Sequence, residues 1–297
     1  MKKRKFRGRE LLKKKLGLRK NQPKKRRELI RQKLLKKKFN LKDYPPKKGK
    51  KFIIVQIDGL SHTLLKKLIK TPYMPFMRKL LQEYNITKYD PGIPTNTHYI
   101  QGLLMYGNDD LIPNYSFYSK EEQKVFAMGK VETAKAIQDQ LGDDGILKGG
   151  TSVGLFFSGG AERKIITLAH LYDTTSKVKN LRDVIYILTI SPLQGLRVFL
   201  YLVREIIVEF FENIFDFFKY LFKGKNFNSP FIYPYFPLFR ALMNTLTREI
   251  CTQAVLLELE RKSPAIYLNY TGFDTISHYR GGGSISGYSI LKEIDTD

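Results

Sequence analysis

Phe52-Ile53-Ile54-Val55-Gln56-Ile57-Asp58-Gly59 reads as a strand that ends in a carboxylate. The first six residues are mostly apolar and β-branched, which predicts a short buried strand. Asp58 then falls at the carboxyl end, where open α/β sheets place their ligand sites. Downstream, Pro91-Gly92-Ile93-Pro94-Thr95-Asn96-Thr97-His98 is rich in turn formers and opens a helix predicted over Thr97–Met105. An acid at a strand end and a hydroxyl at a helix start suit metal-assisted attack on a phosphoryl group.

Strand and helix patterns alternate around this pair. Helices are predicted at 61–70, 74–84 and about 120–141, ahead of Gly149-Gly150-Thr151-Ser152, and a late strand at Ala265–Tyr270. Interleaving of this kind predicts an α/β fold with a mostly parallel central sheet flanked by helices. A long helical insertion, about 184–262, interrupts it, with Ser191-Pro192 as its cap and first helical residue. Within it Glu205, Glu209, Glu212, Asp216 and Lys219 draw a narrow polar stripe among phenylalanines and isoleucines. A helix so apolar is expected to bury most of its surface, against the second helical run at about 237–261. Docking on a membrane or self-association is the alternative, although an interface helix usually carries Lys and Arg where this one carries acids.

The charge of +24 is unevenly placed. Residues 1–51 hold 25 of the 52 Lys and Arg but three of the 28 Asp and Glu, so they carry +22 and the rest only +2. Residues 1–50 therefore form a polybasic tail, disordered or partly helical, closed by Tyr44-Pro45-Pro46. Arg26–Leu35 suits a basic amphipathic helix on an anionic membrane surface or on nucleic acid; a solvated tail without a partner is the bland alternative. The lone cysteine, Cys251, excludes an internal disulfide and a cysteine-rich zinc module, and reads as a core residue. No apolar stretch near the start resembles a signal peptide, so the expected location is cytoplasmic, with peripheral membrane attachment open.

Tyr267-Leu268-Asn269-Tyr270 runs into Thr271-Gly272-Phe273-Asp274-Thr275-Ile276-Ser277-His278. Asp and His four apart after a strand form half of an oxygen-plus-imidazole zinc site. With Asp58-Gly59, Thr71-Pro72-Tyr73-Met74-Pro75, Pro94-Thr95-Asn96-Thr97 and Gly107…Ile112-Pro113-Asn114 in this order, the chain over about 51–297 resembles the alkaline phosphatase superfamily. The closest likeness is to its type I phosphodiesterase/nucleotide pyrophosphatase branch.

That resemblance implies a metal-dependent phosphoric ester hydrolase with two divalent ions, zinc by preference or manganese. Asp58 would ligate one ion together with Thr97, the nucleophile; Asp274 and His278 would ligate the other; Asn114 would donate to a phosphoryl oxygen. A phospho-threonine intermediate would form and then be hydrolysed. Read without the resemblance, Asp58 and Asn114 are turn residues, Thr97 a helix cap and His278 a loop histidine. His62 and His98 match no ligand position and read as supporting or surface residues; His170 has no assignment. The Cys or Ser of a sulfatase motif is absent at Thr97-His98-Tyr99-Ile100-Gln101.

The family pattern also needs a further Asp-His pair and a late histidine, and no histidine follows His278. The expectation is an N-terminal portion of such a domain that binds metal weakly and turns over slowly or not at all. Two other functions stand beside hydrolysis. One is a membrane-surface phosphotransferase on lipid or glycan head groups. The other is a non-catalytic module tethered to anionic lipid or nucleic acid.

Overall fold

The computed structural model describes residues 23–45, 51–107, 111–121, 123–172, 192–223 and 235–296. The chain divides into two compact units after Lys42. In the first, helix α1 (Pro23–Lys38) carries nine basic residues against Glu28. Runs such as Lys24–Arg27 and Lys36–Lys38 carry charge around the whole circumference, at about 100° per residue. The helix is thus a cationic rod, and the amphipathic helix expected at 26–35 is not formed.

In the second unit four parallel strands form one sheet in the order β1 (Phe52–Ile57), β6 (Ala265–Tyr270), β4 (Thr151–Val153), β5 (Arg163–Ile165). The mostly parallel α/β architecture expected from the pattern is present. Strand β6 is central and buried at every residue. Ala265 and Tyr267 face a core containing Tyr99, Met105, Ile137 and Phe157, whereas Leu268 and Tyr270 face one containing Leu68, Phe273 and Leu291. This alternation, with helices over both faces, is why a continuous apolar run was needed there. β1 behaves differently: it lies at the sheet edge with Phe52, Ile53 and Val55 exposed, so the buried strand expected at 52–57 is corrected to an edge strand.

Helices α2 (His62–Leu68) and α3 (Pro75–Leu80) lie within the predicted ranges. Ser61 caps α2 by accepting from the Leu64 N–H at 3.2 Å. Helix α4 (Thr97–Tyr106) is closed by Gly107 in the left-handed region at φ 69°. The helix predicted at 120–141 is replaced by a hairpin, β2 (Ser116–Ser119) with β3 (Lys124–Ala127), and a shorter helix α5 (Val131–Leu141). Alternation in Lys124-Val125-Phe126-Ala127, which buries Phe126 and exposes Val125, is the period-two signal that the helical reading passed over.

The insertion is helical, as α6 (Pro192–Lys223), α7 (Phe236–Arg240), a π-helical turn (Ala241–Leu246) and α8 (Thr247–Glu260). Its residues 184–191 and 224–234 lie outside the described residues. Cys251 is a buried core residue, as expected. Helices α9 (Gly272–Arg280) and α10 (Ile285–Thr296) complete the unit.

The packing of α6 reverses the expected one. Its acids, not its phenylalanines, face α7. Arg240 donates to Glu205 at 2.9 Å, Glu209 at 2.6 Å and Glu212 at 2.7 Å. Arg280, at the end of α9, grips Glu209 through both terminal nitrogens at 2.6 and 2.7 Å and reaches Asp216 at 2.9 Å. Two buried guanidinium groups make the stripe the packing face; bidentate geometry of this kind is what lets a carboxylate leave water. The Lys219 side chain lies outside the described residues.

Candidate active site

β1 and β6 are adjacent and parallel, so their carboxyl ends present the next residues side by side. Asp58 follows β1 and its N–H is held by the Tyr270 carbonyl at 3.0 Å. Thr97, the first residue of α4, places Oγ1 at 3.1 Å from each Asp58 carboxylate oxygen. Asn96 is the N-cap of that helix, so Thr97 is not the cap residue. The Asn96 side chain is not used for capping but donates to Asn114 Oδ1. That oxygen also accepts the Tyr115 N–H at 2.8 Å, which leaves the exposed Nδ2 group of Asn114 as its remaining donor.

Asp274 lies in the first turn of α9, immediately beyond β6. Gly59 lies against it: with φ +73° and a notional Cβ 3.0 Å from Asp274 Oδ1, a side chain here would be strained in its backbone and would press on the Asp274 carboxylate. His278 Nε2 lies 3.4 Å from Asp274 Oδ2, one helical turn away, with a side chain 79% exposed. All five residues singled out from the sequence therefore fall at one end of the sheet. Asp58 and Thr97 are in direct contact, Asp274 and His278 form a second pair, and Asn114 is joined to the residue before Thr97.

Three polar residues that the sequence reading left unassigned complete the surroundings of Asp58. The Phe156 N–H donates to Gln101 Oε1 at 2.9 Å, and Gln101 Nε2 donates to Gln56 Oε1 at 3.2 Å. Gln56 Nε2 then donates to Asp58 Oδ1 at 3.4 Å, and Asn269 Nδ2 to Oδ2 at 3.3 Å. A backbone N–H can only donate, so it sets the direction of the whole amide chain, which ends on the carboxylate. The available signal was register: Gln56 and Asn269 are the polar residues in two otherwise apolar strands, and they pair directly.

Burial, and then the negative charge of Asp274, push the Asp58 carboxyl above its ordinary value, against the hydrogen bonds from Asn269, Thr97 and Gln56. His98 is displaced in the opposite sense by its own burial. Its ring is packed against Tyr115 and Phe156, with Nε2 3.2 Å from the Pro113 carbonyl, and plays a structural part.

Among the described residues no three His, Cys, Asp or Glu side chains gather as a metal-binding group. The donors present nevertheless suit a divalent ion in kind. Two carboxylates stand close together, and none of the main influences on Asp58 is a basic group. Asn269 Oδ1 is buried without a hydrogen-bond partner. No family model, curated protein or solved structure matches this chain.

A raised carboxyl pKa in the fold costs stability once the group ionises. The contribution of Asp58 is complete below its unfolded value, 3.8, and is lost as pH rises through the higher folded value. Between about pH 4 and 7 the melting temperature of the metal-free wild type should therefore fall relative to that of Asp58→Asn. Thermal scans across that range check it, and a constant difference between the two proteins refutes the shift.

Proposed function

We propose that the chain is a metal-dependent phosphoric ester hydrolase of the alkaline phosphatase type, with a phosphodiester as substrate and Thr97 as nucleophile. The observation that carries this reading is the contact of Thr97 Oγ1 with both Asp58 oxygens at 3.1 Å, made across 39 residues. It occurs at the carboxyl edge of a parallel sheet and at a helix N-terminus. A helix start offers backbone N–H groups to an anion, and here the cap side chain does not occupy them.

Asp58 and Thr97 would hold one ion, Asp274 and His278 the other, as zinc or manganese. The ions would supply positive charge that lowers the pKa of the threonine hydroxyl and neutralises the phosphoryl oxygens. The protein's own groups do the remainder. Asp58 accepts the hydroxyl hydrogen bond and fixes where Oγ1 sits; the Gln101-Gln56 chain and Asn269 fix Asp58. Asn114 Nδ2 and the first N–H groups of α4 would bind non-bridging oxygens, more tightly as charge builds on them. The hydroxyl proton would pass through Asp58 to water as the bond from Oγ1 to phosphorus forms and the ester bond opposite it breaks. The leaving oxygen departs with the electron pair and takes up a proton from water. A water molecule later displaces Thr97 from the phosphoryl group, and the threonine oxygen regains a proton.

The test is release of p-nitrophenol from bis-p-nitrophenyl phosphate at millimolar zinc or manganese, against a chelated control. Slow, metal-dependent turnover is expected, because each ion has few ligands in the described residues. Turnover that ignores the chelator overturns the metal-dependent reading; none with either metal overturns hydrolysis itself and favours the non-catalytic module.

A further inference from the structure

The reversed packing of α6 leaves an unusual surface. Its acids are turned inward onto Arg240 and Arg280, while Phe211, Phe215 and Phe222 are 63%, 70% and 85% exposed. At about 100° per residue, Leu200, Ile207, Phe211, Phe215, Phe218 and Phe222 line up as one stripe opposite the acids. Leu238 and Phe239 of α7 are exposed as well. A helix in water buries its phenylalanines and exposes its glutamates. Charges paired inside and apolar groups outside is the arrangement that lipid selects.

No exposed side chain among those described on α6 is acidic: each is apolar or an arginine, Arg197 or Arg204, and Arg204 is paired with Glu293 at 2.5 Å. The objection that the stripe is acidic disappears, because the acids belong to the interior. The same chain carries +22 in residues 1–51. That charge attracts an anionic bilayer and repels a second copy of itself, which favours lipid over self-association as the cover. Stable attachment takes two signals, such as an apolar insertion together with a polybasic segment. No helix among the described residues is long and apolar enough to cross a membrane, so the contact would be parallel to the surface.

We infer that the phenylalanine face of Pro192–Lys223 docks on an anionic phospholipid bilayer, lying in the interface with its buried acids held by Arg240 and Arg280. Docking does not depend on the chemistry at Thr97.

The experiment is flotation of the full chain with vesicles of mixed phosphatidylglycerol and phosphatidylcholine, beside vesicles of phosphatidylcholine alone. Phe211→Ser, Phe215→Ser and Phe222→Ser are combined in one variant; these side chains are exposed, and an unchanged melting curve verifies the fold. Wild type should float with the anionic vesicles, and the triple variant should partition about tenfold less or lower. The chain contains no tryptophan, so Phe218→Trp supplies a single reporter. Its emission should shift to the blue on the anionic vesicles and be quenched by brominated acyl chains. Equal flotation of the triple variant, or a reporter that stays in water while the protein floats, would assign binding to residues 1–51 alone and overturn the inference. So would a lipid-free wild type that is a dimer and becomes monomeric in the triple variant, since a second copy would then cover the face.

Discussion

Arg240→Ala should destabilise the protein by about 3–5 kcal/mol, lowering Tm by roughly 10 °C. Arg240 is a buried cation that serves three carboxylates at once. Its removal leaves Glu205 and Glu209 inside the fold, with Arg280 still on Glu209 but no guanidinium on Glu205. Burial already holds the Glu205 carboxyl above its ordinary value, and Arg240 is the largest opposing influence. In the variant that carboxyl rises further. The deficit should therefore be full at neutral pH and shrink on acidification, as the orphaned Glu205 takes up a proton. Denaturant melts of both proteins at pH 7 and pH 5 check this. A loss under about 1 kcal/mol at pH 7 would mean that the stripe is more open to water than the geometry shows. Because Arg280 lies on the same helix as Asp274 and His278, the ion-pair cluster also ties the insertion to the candidate site.

Thr97→Ala should lower metal-dependent diester hydrolysis by at least about 10³-fold, because no second oxygen replaces the nucleophile. Thr97→Ser retains the hydroxyl at the same helix position and should retain measurable turnover. Stability should barely change on losing the hydroxyl, since the Asp58 carboxylate keeps its hydrogen bonds from Asn269 and Gln56. The pair of measurements separates a nucleophile from a structural residue. Acid-quenched wild type should also carry the phosphoryl group on Thr97, detectable by mass spectrometry. An alanine variant within tenfold of wild type would remove Thr97 from the chemistry and leave its contact with Asp58 as a packing feature.

Much of the candidate site was legible in the sequence because it is built from local signals. Asp58 ends a β-branched run, Thr97 opens a helix after a turn-rich loop, and Asp274 and His278 are one helical turn apart after an apolar strand. Each pattern is contained within about ten residues; parallel pairing of the two strands brings the two acids together, and the helix of Thr97 joins them through its contact with Asp58. Gln56, Gln101 and Asn269 escaped notice because a lone amide in an apolar segment has no periodicity. Its meaning appears only when Gln56 and Asn269 pair in register across the sheet.

What the sequence by itself determined is therefore the alternating α/β pattern, the two strand ends that carry carboxylates, the helix that presents Thr97, and the polar stripe on α6. What only the tertiary structure decided is which side of each element is inside. A period of 3.6 divides α6 into an acidic line and an apolar surface but does not say which of them is buried. That was set by Arg240 and Arg280, 31 and 71 residues beyond Glu209, whose guanidinium groups made burial of the acids the favourable choice. Likewise β1 and β6 read as similar apolar strands. Their places at the edge and at the centre follow from strand order, which is settled by pairing between segments more than 200 residues apart.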